Sequence, residues 1–214
     1  MRSSVAIHGL LLVAVLIGTG AVLYASGLRL NLPGIDRGYS PAQPIAFSHR
    51  LHSGEMEMRC LYCHSAADEG RHAGVPAASV CMNCHRFVPA AHLPEGGAAP
   101  DATVPVSPEL QKLYSAVGFD PATKELGTVE SSGPIEWIKV HDLPDFVSFD
   151  HSRHVNGGVA CQVCHGPVET MDRITQVSDL SMGWCIDCHR AVGAGRIPEL
   201  DGRTPSTDCG ACHY

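Results

Sequence analysis

The longest apolar run of the chain extends from Val5 to Ala25 and is almost unbroken over 21 residues. At the helical rise of about 1.5 Å per residue, such a run spans about 31 Å, the thickness of a bilayer core. A cleaved signal peptide has a shorter apolar core and small residues before its cleavage site, whereas Leu23 and Tyr24 occupy those positions here. The pattern therefore predicts one N-terminal transmembrane helix that remains as an anchor.

After residue 30 the chain has no long periodic apolar segment. Aromatic residues make up 6% of the sequence, and 22 Gly and 15 Pro interrupt it, so an ordinary apolar core is not expected. Two local signals stand out. Ser107-Pro108-Glu109-Leu110 predicts a capped helix that continues to about Val117, and Ile135–Val140 predicts a short strand. We expect a mainly α and irregular fold with few or no strands.

All ten cysteines fall in five copies of the pattern CxxCH. Two thiols at this spacing can each bond one vinyl group of the same porphyrin, and the histidine that follows can bind the iron. The pattern predicts five covalently bound c-type haems and a multihaem cytochrome c (class III-like) domain. The five motifs, numbered in chain order, are Cys60/Cys63/His64, Cys81/Cys84/His85, Cys161/Cys164/His165, Cys185/Cys188/His189 and Cys209/Cys212/His213.

Other uses of a CxxC pair explain the pattern less well. Zinc sites or disulfides would leave the five following histidines unexplained. A thioredoxin-like CxxC needs a βαβ context, which the sequence does not show. We therefore interpret the ten cysteines as haem attachment sites and the five motif histidines as iron ligands.

An internal repeat organises the chain. Phe47-Ser-His49-Arg-Leu-His52 and Phe149-Asp-His151-Ser-Arg-His154 each precede two CxxCH motifs, the second of which ends in His-Arg. We therefore divide the chain into an anchor at 1–29 and a pentahaem domain at 30–214. Within that domain we expect a first repeat at about 47–86, a connector at 87–132, a second repeat at about 149–190, and the fifth motif at 209–213.

The FxHxxH segments supply four further candidate iron ligands, namely His49, His52, His151 and His154. Residues three apart lie on the same face of a helix, so each pair can be directed at two neighbouring irons. Each repeat then has two histidines of the CxxCH type and two distal ones. An iron with both axial positions filled transfers electrons without binding substrate, so we expect an electron carrier and no catalytic residues.

The repeat leaves the distal ligand of the fifth haem open. His141 follows the predicted strand and precedes Phe149 by a few residues, which makes it the favoured candidate. His72 lies between the first two motifs and is the second candidate. A methionine such as Met171 or Met182 is the third, because a thioether is the other common axial donor. His8, in the apolar run, and His92, in a Pro, Ala and Gly-rich loop, are weaker candidates.

The formal charge is −7 at neutral pH, and no basic patch suggests a nucleic-acid partner. Arg2 lies before the apolar run and Arg29 and Arg37 after it, so charge does not decide the orientation. Covalent haem attachment takes place on the outer face of the bacterial cytoplasmic membrane. We therefore expect a single-pass protein of that membrane with its haem domain on the periplasmic side.

Two stretches of the sequence resemble the pentahaem cytochrome subunit of bacterial alternative complex III. One is Phe47 to Arg86, with Ala73-Gly74-Val75-Pro76 before Val80-Cys81-Met82-Asn83-Cys84-His85. The other runs from Pro134-Ile135-Glu136-Trp137 through His141-Asp142-Leu143-Pro144 and Phe149 to His154, then to Gly166-Pro167-Val168-Glu169 and Met182-Gly183-Trp184-Cys185. The resemblance covers about residues 44 to 214 and the N-terminal helix.

The resemblance implies a role in a respiratory or photosynthetic complex that oxidises quinol. Its implied partners are an iron-sulfur subunit, polytopic quinol-binding membrane subunits, and a monohaem cytochrome c, copper protein or terminal oxidase as acceptor. Three alternatives have the same kind of motifs: the multihaem subunit of a periplasmic quinone reductase complex, a stand-alone quinol dehydrogenase with one anchor helix, and a multihaem nitrite or hydroxylamine enzyme. The last usually has a lysine variant of the motif, whereas all five motifs here end in His.

Overall fold

The computed structural model of the protein describes residues 2–25, 36–88, 106–127 and 130–214. It divides the chain into two compact units, Met1–Leu32 and Pro33–Tyr214. The first unit contains helix α1, Arg2–Ala25. Its segment Ala6–Tyr24 is long and apolar enough to cross a membrane, and its side chains are exposed. The last four residues of the predicted anchor, 26–29, lie outside the described residues.

The second unit is built from short helices joined by irregular chain, as the sequence predicts. The fold-class prediction is confirmed: the described part is mostly helical, with a single two-stranded sheet. Its helices are α2 (Cys60–Cys63), α3 (Ala78–His85), α4 (Pro108–Val117), α5 (His151–Val155), α6 (Cys161–His165), α7 (Met182–Gly193) and α8 (Cys209–Cys212). A π-helical turn at Arg50–Glu55 and 3₁₀ turns at Val168–Thr170 and Pro198–Leu200 complete the set.

Helix α4 forms where the sequence predicts it. The Ser107 hydroxyl accepts a hydrogen bond from the amide of Leu110 at 3.2 Å, and Pro108 occupies the first turn. Gly118 ends the helix in the left-handed conformation. Each of these signals is local, which is why the sequence alone suffices for this helix.

The predicted strand at Ile135–Val140 is wrong. The segment is extended but has no strand partner, because the side-chain amide of Gln43 takes both backbone groups of Ile138. Gln43 donates to the Ile138 carbonyl and accepts from its amide, both at 2.9 Å. The observed sheet is instead a hairpin of β1 (Phe119–Asp120) and β2 (Glu125–Leu126) within the connector. Residues 89–105 and 128–129 of that connector lie outside the described residues.

A small apolar cluster joins the second CxxCH motif to α4 and the hairpin. It consists of Met82, Leu113, Tyr114 and Phe119, all buried. The Tyr114 hydroxyl donates to the backbone carbonyl of His85 at 2.5 Å. The second motif is thereby fixed against the connector.

The two repeats pack against each other through short turns. The π-helical turn Arg50–Glu55 lies on the 3₁₀ turn Val168–Thr170, and the Arg50 amide donates to the Met171 carbonyl at 2.9 Å. The Ser48 hydroxyl donates to Asp172 at 2.7 Å. The Arg50 guanidinium contacts the same carboxylate at 3.1 Å. The distal-histidine segment of the first repeat is therefore anchored to the chain that follows the third motif.

We expect Gly54→Ala to destabilise this junction. A Cβ at Gly54 would overlap the backbone carbonyl oxygen of Glu169, and a backbone atom cannot rotate away. Overpacking of this kind costs about 1 to 3 kcal/mol. Thermal unfolding of the holoprotein measures the loss as a lower Tm.

Gly193→Ala is the matched control, because a Cβ there meets no atom within 4 Å. It lies at the end of α7, where alanine has the higher helix propensity. An equal Tm for Gly54→Ala and the parent protein would contradict the close contact between the two turns.

Candidate haem sites

Each CxxCH motif begins or lies on a short helix, as predicted. The motifs occupy α2, the second half of α3, α6, the middle of α7, and α8. Cysteines three residues apart lie on one helix face, where both thiols can bond the same porphyrin. Side-chain caps start two of these helices: Ser181 accepts from the Trp184 amide on α7, and Asp208 accepts from the Gly210 amide on α8. All ten cysteines are free thiols.

Most of the predicted histidine ligands donate a hydrogen bond from Nδ1 to a backbone carbonyl. A carbonyl only accepts, so the proton lies on Nδ1 and the lone pair of Nε2 is free for a metal. The six pairs are His52 with Ser48 (2.9 Å), His64 with Gly74 (2.7 Å), His85 with Val88 (2.9 Å), His151 with Arg71 (2.8 Å), His154 with Asp150 (2.9 Å) and His189 with Ser206 (2.6 Å).

Distal and motif histidines face each other at a separation that fits one iron. Two imidazoles that bind a metal ion from opposite sides at about 2 Å each have ring centres about 6 Å apart. The ring centres of His52 and His85 are 6.1 Å apart, as are those of His154 and His189. Those of His151 and His165 are 6.3 Å apart. The second histidine of each FxHxxH therefore faces the second motif of its repeat.

The phenylalanine of each FxHxxH orients the distal histidines. Phe47 stacks on His52 with ring centres 4.3 Å apart, and Phe149 stacks on His154 at 4.6 Å. The same phenylalanines meet the first histidine of each pair edge-on, at 4.9 Å for His49 and 4.8 Å for His151. The two repeats thus share the same local geometry, which restricts the rotation of both rings.

Burial keeps two of the predicted ligands neutral. It lowers the pKa of His49 to about 4, and the charges of His64 and His52 add to the effect. Burial and the charges of His141, His151 and His64 lower the pKa of His165 to about 4. Neutral imidazole is the form that binds a metal. The buried Nδ1 of His49 has no hydrogen-bond partner among the described residues.

His141 lies against a motif histidine. Its Nε2 is 3.3 Å from Nδ1 of His165, and the two ring centres are 4.4 Å apart, too close for an iron between them. Burial, followed by the charge of His151, lowers the pKa of His141. In this arrangement His141 occupies the place that a backbone carbonyl takes beside the other motif histidines.

The remaining candidates for the fifth distal ligand are less constrained. His72 is exposed, in the loop after the first motif, and Met182 is 69% exposed at the start of α7. His213 of the fifth motif is partly buried, and its nearest aromatic neighbour in the described part is Phe146, with ring centres 5.8 Å apart. Met171 follows the 3₁₀ turn Val168–Thr170. His92 lies outside the described residues. The choice of fifth ligand stays a prediction.

Sequence reasoning did not identify the carbonyl groups that orient the histidines. Two of them could have been found, because His52 and His154 each donate to the residue four positions earlier, the spacing of a helical turn. The carbonyls of Gly74, Arg71 and Ser206 come from loops far along the chain. No sequence pattern marks them.

Comparison with known proteins agrees with this geometry. The sequence model of the family "Cytochrome c7 and related cytochrome c" matches residues 147–214, which include the second FxHxxH and the last three motifs. The chain carries a multihaem cytochrome c domain. The cytochrome is also similar to the multihaem cytochrome c subunit of menaquinone reductase from Nitratidesulfovibrio vulgaris. The two are 29% identical over 193 residues, which cover 80% of this chain and 76% of that protein.

The donors present in this cytochrome fit c-type haem. Paired thiols on one helix face, free Nε2 lone pairs and ring separations of 6.1 to 6.3 Å are what a covalently attached porphyrin with two axial imidazoles requires.

We expect His141→Ala to leave the number of low-spin haems unchanged and to raise the reduction potential of one haem. Loss of the acceptor beside His165 Nδ1 makes that imidazole a weaker electron donor to iron. A spectroscopic redox titration measures both quantities. His72→Ala is the comparison variant. Conversion of one haem to high spin in His141→Ala would instead identify His141 as the fifth distal ligand.

Proposed function

We propose that this chain is the membrane-anchored electron-transfer subunit of a quinone-linked complex and that it carries five c-type haems. The supporting observation is the set of imidazole pairs in both repeats, each at the separation of two ligands on one iron. Bound haem would supply one-electron chemistry at an iron whose axial positions are filled. Such an iron has no position for a substrate, which favours a relay over a catalytic site.

The protein's own groups perform three tasks in this relay. The ten thiols hold the porphyrins covalently at fixed places. The histidines supply axial nitrogens, and the backbone carbonyls of residues such as Gly74 and Arg71 keep the proton on Nδ1. Because these carbonyls belong to the fold, ring orientation does not change when an electron arrives or leaves.

Helix α1 would attach the subunit to the membrane. We place the haem domain on the outer face of the bacterial cytoplasmic membrane, where haem attachment takes place. The expected partners within the complex are an iron-sulfur subunit and polytopic membrane subunits that bind quinol. A monohaem cytochrome c, a copper protein or a terminal oxidase would accept the electrons.

For the direction of electron flow we propose quinol oxidation, as in alternative complex III. The support is the resemblance of both repeats, including Pro134 to Pro144 before the second FxHxxH. The second candidate is quinone reduction, in which electrons pass from a periplasmic donor through this chain to quinone. The similarity to a menaquinone reductase subunit favours that candidate.

Purification from the native membrane in mild detergent tests the proposal. We expect the cytochrome to be recovered with iron-sulfur and polytopic subunits, and the complex to reduce a soluble acceptor with quinol as donor. Faster quinone reduction from a reduced soluble cytochrome would favour the second candidate. Recovery as a monomer that oxidises quinol unaided would contradict the proposal and indicate a stand-alone quinol dehydrogenase.

A further inference from the structure

The five attachment motifs contact one another in an order that differs from their order in the sequence. The first and second motifs are joined directly. Asn83, inside the second CxxC, donates from its side-chain amide to the hydroxyl of Tyr62, inside the first, at 3.2 Å. The same π-helical turn supplies His52, opposite His85, and follows His49, which lies within electrostatic range of His64.

The first and third motifs form the junction between the repeats. The loop that follows His64 lies on the N-terminal end of α5, which carries the distal histidines of the second repeat. Three hydrogen bonds hold it there: the amides of His151 and Ser152 donate to the carbonyls of Arg71 and Gly70 at 3.2 and 3.1 Å, and the Asn156 side chain donates to the Asp68 carbonyl at 2.8 Å.

The third and fourth motifs share helix α5. His151 faces His165 at 6.3 Å, and His154, less than one turn later, faces His189 at 6.1 Å. One helical turn of five residues therefore serves both motifs.

The fourth and fifth motifs are connected at both sides of the fourth. Nδ1 of His189 donates to the Ser206 carbonyl, three residues before Cys209, at 2.6 Å. The Ser148 amide donates to the Cys212 carbonyl at 2.7 Å, immediately before Phe149, the residue that stacks on His154. The fifth motif thus contacts the segments on both faces of the fourth.

The thiols show the same neighbours. Each of five cysteines has its pKa raised first by burial and then by charges that include those of a neighbouring motif; Cys164 reaches about 11. The pairs that span two motifs are Cys63 with Cys84, Cys81 with Cys63, Cys161 with Cys60, Cys164 with Cys188 and Cys185, and Cys185 with Cys212.

From these contacts we propose that the motifs form a single row in the order second, first, third, fourth, fifth. The repeats meet through their first members, so the member that is second in sequence lies outermost in each. The second motif ends the row against α4, and the fifth motif ends it beside Phe146, which is 58% exposed. This inference rests on the proposed function in one respect, namely that all five motifs carry haem.

The row assigns the two ends of the relay. An electron enters or leaves at the second or the fifth haem, and the other three only pass it on. Each step moves one electron from a ferrous to a ferric neighbour, with no bond made or broken. Quinol, or a reduced soluble carrier in the reverse direction, supplies the electrons under the proposed function.

Paramagnetic coupling in the full-length holoprotein tests the order. Replacing a distal histidine by methionine raises the potential of that haem, so limited reductant makes it diamagnetic first. We expect the reduced His49→Met haem to remove dipolar broadening from two other haem signals, and the reduced His52→Met haem to remove it from one. Broadening lost from two signals in His52→Met would overturn the order.

Iron positions in the unmodified holoprotein give a second measurement if either variant fails to assemble. In an anomalous-scattering map, we expect the iron bound by His64 to lie between the irons of His85 and His165. An iron of His85 placed between the other two would overturn the row. Neither measurement uses quinone, so the order can fail while the proposed function stands, and the reverse.

Discussion

His52→Ala is expected to convert one low-spin haem into a high-spin haem that binds carbon monoxide. The imidazole of His52 faces His85 with ring centres 6.1 Å apart, and alanine has no donor that could reach the same iron. Neighbouring Phe47 stacks on the ring that is lost and has no ligating atom of its own. The sixth coordination position therefore becomes open to exogenous ligands.

The internal repeat provides an independent replicate of this experiment. His154 has the same phenylalanine stack, the same Nδ1 hydrogen bond four residues back and the same 6.1 Å separation, here from His189. His154→Ala should therefore produce the same high-spin fraction. Absorption and electron paramagnetic resonance spectra measure that fraction, and added imidazole should restore the low-spin state in both variants.

Ser53→Ala is the control, since Ser53 lies next to His52 on the same π-helical turn and is partly buried. It should leave every haem low-spin. An unchanged low-spin count in His52→Ala would contradict the assignment of His52 as a ligand. A high-spin haem that added imidazole does not convert would indicate a general loss of structure instead.

The sequence predicts those features that depend on neighbouring residues. Helix α4 follows from Ser107, Pro108 and Gly118, which cap or start it locally. The helices of the CxxCH motifs follow from the covalent chemistry, because both thiols must face one porphyrin. The FxHxxH pattern likewise contains the phenylalanine that stacks on its own histidine.

Features that depend on residues distant in the chain were not predictable in this way. Ile138 is extended but forms no ladder, because Gln43, 95 residues away, satisfies its backbone. His141 contacts His165, and Arg71 contacts His151 from the other repeat. A one-dimensional pattern contains no information on such contacts, so the roles predicted for His141 and His72 need the variants described above.

The second large effect concerns the protein without haem. We expect the haem domain, produced where no haem attachment takes place, to show no cooperative unfolding transition. Its buried apolar core is small, since among the described residues it consists of Ala67, Met82, Leu113, Tyr114, Phe119, Val192 and Leu200. A core of this size cannot offset the conformational entropy of so long a chain.

Cofactor attachment must then supply the missing stabilisation, as metal binding does in small metal-dependent domains. Four of the seven buried apolar residues belong to the single cluster of α3, α4 and the hairpin. Helix α4 is the element with the strongest local signals, but ten residues are too few for a stable isolated helix in water. Any residual amide protection in the haem-free chain should therefore be weak and confined to α4.

Calorimetry and amide hydrogen exchange on the haem-free and holo forms of the full chain make the comparison. The holoprotein should unfold in a cooperative transition and protect amides in α5 and α7, whose histidines face each other at 6.1 Å. The haem-free chain should exchange those amides at rates close to those of an unfolded peptide. Protected amides in α5 and α7 without haem would mean that the loop contacts around Arg71 and Ser206 hold these helices by themselves.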